Sequence, residues 1–229
     1  MTRRRTKMSE QMGFEMQPRL QQQTVVTKQM VRGLFRTLRE GSLEDAYLAT
    51  RQLVSYGQAV LPVLKSEIER TIARWRERYH AELELMEQID DIINVPYEHN
   101  YLLRLLYVLV HLWSQEAENI LELVLQQEEP VLRRTAITTL DYYITDHFDR
   151  VALKRVILKV LELLESDPHP SVRMSACWIL GTHRWILEEE DVRQTVRRRL
   201  IERLGNERNH VVRWYATKVL GTFCKPEEL

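Results

Sequence analysis

Pro170-Ser171-Val172-Arg173-Met174-Ser175-Ala176, running on through Leu180-Gly181, decides how the whole chain is read, because it recurs. Pro130-Val131-Leu132-Arg133-Arg134-Thr135-Ala136 precedes it and His210-Val211-Val212-Arg213-Trp214-Tyr215-Ala216 follows it, each at a step of 40 residues. The segments ahead of these keep the same step: Ile120, Leu121 and Val124 align with Val160, Leu161 and Leu164, and these with Leu200, Ile201 and Leu204. Two elements therefore repeat together. Apolar residues in each fall at i, i+4 and i+8, often with the i+1 neighbour, which is one face of an α-helix. Pro130 and Pro170 stand at helix starts, where a missing N–H is harmless. The unit is a helical hairpin of about 40 residues that cannot bury its apolar stripe alone; stacked copies bury one continuous core.

The rest of the composition agrees. The chain has 229 residues, with 33 Lys+Arg against 33 Asp+Glu and zero formal charge, so its bulk electrostatics does not seek polyanions or membranes. Seven Gly and seven Pro leave little turn chemistry for a many-stranded β fold. The expected class is all-α. Cys177 and Cys224 are too few for a disulfide framework, which with the absence of a signal-peptide core predicts a reducing cytoplasmic setting. The uncharged run Leu105 to Gln115 is too short to span a bilayer of about 30 Å. No membrane is expected among the partners.

The run from Asp167 to Gly181 resembles the HEAT-repeat signature, in particular the variety associated with phycobiliprotein lyases. The resemblance covers about residues 98 to 223 and implies an α-solenoid. It also implies a ladder in which a turn Asp and an Arg at the start of the second helix tie neighbouring repeats. That role falls to Asp167 with Arg173, and to Arg133 and Arg213, with Glu207 in the last copy and Glu128 or Glu129 in the earlier one.

Working backwards, Tyr101-Leu102-Leu103-Arg104 through Trp113 fits the second-helix pattern at a shorter step of 29. A junction resembling those between repeats lies at Leu53 to Leu64, and a further helix is expected over about Gln22 to Arg39. The sum is about five hairpins in a single array over 21–229, after a flexible basic tail at 1–20. From Pro62 to Asn94 there is no Gly or Pro, and apolar residues recur at Ile68, Ile72, Trp75, Tyr79, Leu83, Met86, Ile89 and Ile93. This predicts one unusually long helix over about 62–94, near 48 Å at 1.5 Å per residue. It either packs along the array or projects as an arm for self-association.

Catalytic constellations are not seen: there is no Gly-rich phosphate loop, nucleophile elbow, paired CxxC or HExxH. Iron-binding hydroxylases with HEAT repeats use His-Glu pairs, whereas this chain has Glu98-His99 in reversed order and His80-Ala81-Glu82. His111 and His183 read as packed or solvated. No metal, cofactor or catalytic residue is expected. The resemblance leaves open a lyase-like enzyme or chaperone subunit. A nucleic-acid-binding module is the nearer rival, from Arg193, Arg197, Arg198, Arg199, Arg203, Arg208 and Arg213 with Arg3 to Arg5. Against it, Glu188, Glu189, Glu190 and Asp191 precede that run, and Glu202 and Glu207 interrupt it.

The register also indicates an interaction surface. If Val172, Ala176, Ile179 and Leu180 point inward, Met174 and Trp178 face the concave side. The 40-residue step adds Trp214, Tyr215 and Lys218, and Arg134 and Tyr142; the 29-residue step adds Leu105, Leu109 and Trp113. Aromatic and aliphatic residues beside cations are the composition of protein-binding hot spots. The expected function is a non-enzymatic scaffold or adaptor holding a peptide or helix of another protein. Regional charges of +7 over 1–80, −10 over 81–130 and +3 over 131–229 suggest a basic segment in that partner, or a second copy docking its basic end.

Overall fold

The structure is a computed structural model and describes residues 26–88, 97–146, 150–183 and 190–223. Within them the chain forms α1 Lys28–Glu40, α2 Leu43–Ser55, α3 Leu61–Gln88, α4 Tyr97–His111, α5 Gln115–Leu125, α6 Pro130–Asp146, α7 Arg150–Ser166, α8 Pro170–Thr182, α9 Glu190–Asn206 and α10 His210–Phe223. A 3-10 turn, Gly57–Val60, joins α2 to α3, and no strand occurs among the described residues. The helices pair in chain order into five hairpins, and the second helices α2, α4, α6, α8 and α10 pack one on the next. The expected α-solenoid of about five hairpins is what forms.

Local chemistry starts and stops the helices where the turns need them. Ser42 and Asp45 close a capping box at the head of α2, and the Thr27 and Ser114 side chains accept N–H groups of α1 and α5. Pro170 opens α8 behind His169, and Asn209 Oδ1 accepts the N–H groups of Val211 and Val212 at the head of α10. Gly57 takes φ +64° after α2, a left-handed conformation that a side chain would strain.

One hydrophobic core runs from Val31 to Val219. Ala136, Ala176 and Ala216 are all fully buried, as the 40-residue register requires of a position between stacked second helices. α8 and α10 approach so closely that a Cβ on Gly181 would stand 2.8 Å from Val219 Cγ2.

The long helix exists, with 28 residues in α3, about 42 Å. Leu61, Leu64, Ile68, Ile72 and Trp75 are buried against the array, so this part of the helix packs along it. Glu67, also buried, receives Arg70 Nη2 at 2.6 Å, Arg74 Nη2 at 3.0 Å and the Tyr101 hydroxyl of α4 at 3.1 Å. The expected continuation to Asn94 and the tail at 1–20 lie outside the described residues.

The ladder forms, with two corrections to its pairing. Arg173 does not meet the carboxylate of Asp167. Its Nη1 donates to the backbone carbonyls of Asp167 and Pro168, at 2.9 and 2.8 Å, while Nε and Nη2 each reach a Glu207 carboxylate oxygen at 2.8 Å. Arg133 does the same one hairpin earlier, on Asp167 Oδ2 at 2.7 Å and Oδ1 at 2.9 Å. Each arginine thus closes its own turn with one nitrogen and grips the next hairpin with the fork. Each carboxylate also accepts the N–H two residues on, from His169 or Asn209, at 2.9 Å. Such charge-assisted bidentate pairs add geometric specificity as well as energy.

The earlier rung is not Glu128 or Glu129 with a second-helix arginine. Arg133 Nη1 closes on the carbonyls of Gln127 and Glu128, so Gln127 holds the position of Asp167 and Glu207. Its side-chain oxygen accepts from Arg76 Nη2 of α3 at 2.8 Å, and the same guanidinium takes Glu129 Oε2 at 2.7 Å. The long helix therefore supplies this lock. Arg104 of α4, aligned with the ladder by the 29-residue step, instead donates to the Leu38 carbonyl at 2.6 Å.

Candidate protein-docking face

The second helices present side chains to solvent at regular positions. On α8, Trp178 is 53% exposed, and Met174, one turn earlier, is partly buried against the core. On α10, Trp214 is 57% exposed. Lys218 Nζ stands 5.1 Å from the centroid of its ring and Tyr215 meets it edge-on at 4.8 Å. On α6, Tyr142 is exposed and its ring meets Tyr107 of α4 edge-on at 5.3 Å. Arg134 is half-buried and has no carboxylate partner among the described residues; burial holds its guanidinium below the ordinary arginine range. These residues are on adjacent helices of one layer.

The 29-residue step misplaced α4. Leu105 and Leu109 are fully buried core residues, and the outward edge of α4 carries Tyr107 and His111. These match Thr138 and Tyr142 of α6 at a step of 31, so the alignment was two residues out, enough to turn a helix by more than half a revolution. Trp113 is half-buried; it packs on Tyr143 with ring centroids 4.2 Å apart and lines a cleft of about 180 Å³ with Leu121, Leu140 and Val156. The exposed Tyr47 and Leu48 of α2 escaped the sequence reading, because the repeat pattern is too weak there to set a register.

Some charges elsewhere are engaged within the chain. In the arginine run, Arg193 pairs with Glu190, Arg199 with Glu165 at 3.2 Å, and Arg203 with Glu207 at 2.7 Å. In the acidic band, Glu118 meets Arg155 at 3.5 Å, Glu122 meets Lys159 at 3.0 Å, and Glu129 is held by Arg76. His183 is buried with Nε2 2.6 Å from Asp141 Oδ1. Burial pushes the Cys177 thiol up to about 12, with Glu207 adding to the effect, so it stays protonated. No metal-binding cluster occurs among the described residues, and no helix among them is long and apolar enough to cross a membrane.

Residues 117–221 match the family model for HEAT repeats. No curated protein matches the chain. A solved structure with some likeness is the complex of CpcE and CpcF of phycocyanin lyase from Nostoc sp. PCC7120, at 18% identity and a TM-score of 0.47, covering 84% of this chain and 99% of that one.

Proposed function

We propose that the chain, whose residues 117–221 match the family model for HEAT repeats, is a non-enzymatic adaptor that holds a segment of another protein along its second-helix face. The observation that carries this reading is the pair of half-exposed tryptophans, Trp178 and Trp214, on adjacent helices. Large aromatic surface beside cations is what binding hot spots are made of, and a stacked array presents it as an extended surface.

The electrostatics of the face refine the partner. A basic segment was suggested by the acidic band, but Glu118, Glu122 and Glu129 of that band are paired within the chain. Arg134 of α6 and Lys218 of α10 are cations on the face itself. An apolar segment carrying a carboxylate suits them better, since it would pair the half-buried Arg134 guanidinium.

The test is affinity capture from extract of the cells that make the protein, with and without nuclease. Trp178→Ala with Trp214→Ala should lower capture at least tenfold, about 1.4 kcal/mol, with helicity unchanged. Undiminished capture, loss of folding in the variant, or capture that nuclease abolishes would each defeat the reading.

A further inference from the structure

We propose that the segment held on the second-helix face is proline-rich, lies in the polyproline II conformation across Tyr142, Trp178 and Trp214, and carries an acidic residue for Arg134. The inference rests on the adaptor reading above and gives the held segment its chemistry.

The three rings form an oblique line. Tyr142, Trp178 and Trp214 are the large apolar residues exposed on α6, α8 and α10, one to a helix among the described residues. They follow one another at 36 residues, four short of the repeat, so each lies about one turn nearer the head of its helix than the one before. α6 and α8 have second helices packed on both sides, so the exposure of Tyr142 and Trp178 belongs to the face and not to an end of the array. Other rings brace the line. Tyr107 meets Tyr142 edge-on at 5.3 Å and His111 at 4.5 Å, and Tyr215 meets Trp214 at 4.8 Å.

Spacing narrows the occupant. Neighbouring helices lie about 9 Å apart and four residues rise about 6 Å, so successive rings are about 11 Å apart. A β-strand covers about 10 Å in three residues and arrives with its side chain on the opposite face. Three residues of polyproline II, a full turn, span about 9 Å and return to the same face. Seven residues of α-helix span about 10.5 Å and do so too.

Hydrogen bonding separates these two. An amphipathic helix buries a continuous apolar stripe, but the surface between the rings holds Thr138 and Thr182, whose hydroxyls donate to the carbonyls of Arg134 and Trp178 at 2.9 Å. The indole N–H groups of Trp178 and Trp214 and the Tyr142 hydroxyl have no hydrogen-bond partner among the described residues. A helix uses its carbonyls internally. Polyproline II has no internal hydrogen bonds, so its carbonyls are open to such donors, and aromatic-lined grooves are where such segments dock. Arg134, half-buried without a carboxylate partner among the described residues, is complementary to an acidic residue in the segment.

The test follows fluorescence anisotropy as the full chain is titrated into labelled dodecaproline, into versions with one Asp scanned along it, and into an amphipathic helical peptide with leucine at every seventh position. Saturable binding of dodecaproline is expected. Tyr142→Ala and Trp178→Ala should each weaken it at least tenfold with helicity unchanged, and Trp178→Leu repeats the measurement should alanine disturb the fold. The best Asp version should bind about threefold tighter than the plain one and lose that gain in Arg134→Gln. Added to the extract capture, it should displace the partner. Tryptophan-dependent capture that it does not displace would leave the adaptor reading standing and overturn this inference. So would absence of saturable binding, preference for the helical peptide, no Asp version gaining through Arg134, or displacement by a single-stranded oligonucleotide in place of oligoproline.

Discussion

Arg173 and Glu207 stand 34 residues apart and meet through two hydrogen bonds of 2.8 Å, with the arginine side chain 9% and the glutamate side chain 0% exposed. Removing one member strands a buried charge. Arg173→Gln is expected to destabilise the fold by about 3 kcal/mol. Arg213→Gln, whose fork grips no carboxylate among the described residues, should cost less than about 0.5 kcal/mol. Urea melts of the two variants beside the parent measure the difference; equal losses would show that the carbonyl contacts, common to both arginines, carry the effect.

The same carboxylate predicts an acid limb. Burial would raise the Glu207 carboxyl, but hydrogen bonds from Arg173, the Asn209 N–H and Arg203 outweigh it and hold it at about 2. An unfolded glutamate titrates at about 4.3. A folded value below the unfolded one means the unfolded chain takes up protons first. The stabilisation is thus complete above about pH 5 and disappears as the pH falls toward 2. The stability gap between the parent and Glu207→Gln should be widest at pH 7 and shrink by pH 3. A gap independent of pH would contradict the assignment.

Truncation should separate face from core. Leu109→Ala empties a fully buried site on α4 and is expected to cost about 2–5 kcal/mol. Trp178→Ala, on the exposed face, should cost less than about 1 kcal/mol. Thermal unfolding followed by circular dichroism tests the ordering.

Gly181→Ala pushes a methyl against Val219, whose Cγ2 would lie 2.8 Å away. Overpacking of that kind is expected to cost about 1–3 kcal/mol. Adding Val219→Ala should restore part of it, and a double-mutant cycle reads the coupling. Additive losses would place the strain elsewhere.

Cys177 combines complete burial with a thiol pushed up to about 12. In a chain carrying Cys224→Ser, thiol reagents should label it only through unfolding, so the labelling rate should rise with urea as the unfolded fraction does. Rapid labelling of the native chain would refute this.

The 40-residue step was strong enough to set Arg133, Arg173 and Arg213 in equivalent places, because rigid helices joined by short turns transmit register faithfully. It also placed Trp178 and Trp214 outward. The step of 29 failed at Leu105 and Leu109, since α4 follows an overlong helix and its apolar residues recur too densely to tell one face from the next. The ladder's true partners were hidden for another reason. Arg173 lies six residues after Asp167, yet its fork points across to the following hairpin, and spacing along one chain carries no sign of that direction. Arg76 was invisible in the same way, being supplied by a first helix that does not belong to the repeat.

The 34-residue span of each rung has a bearing on how fast the array assembles. Loop closure costs about (3/2)RT ln n, and here n is the same at each regular junction, however long the array becomes. Even the 53-residue span from Arg76 to Glu129 adds only about 0.4 kcal/mol by the same expression. Hairpins can therefore nucleate independently and zip to their neighbours, so folding speed should be governed by a single hairpin and its junction rather than by the length of the chain.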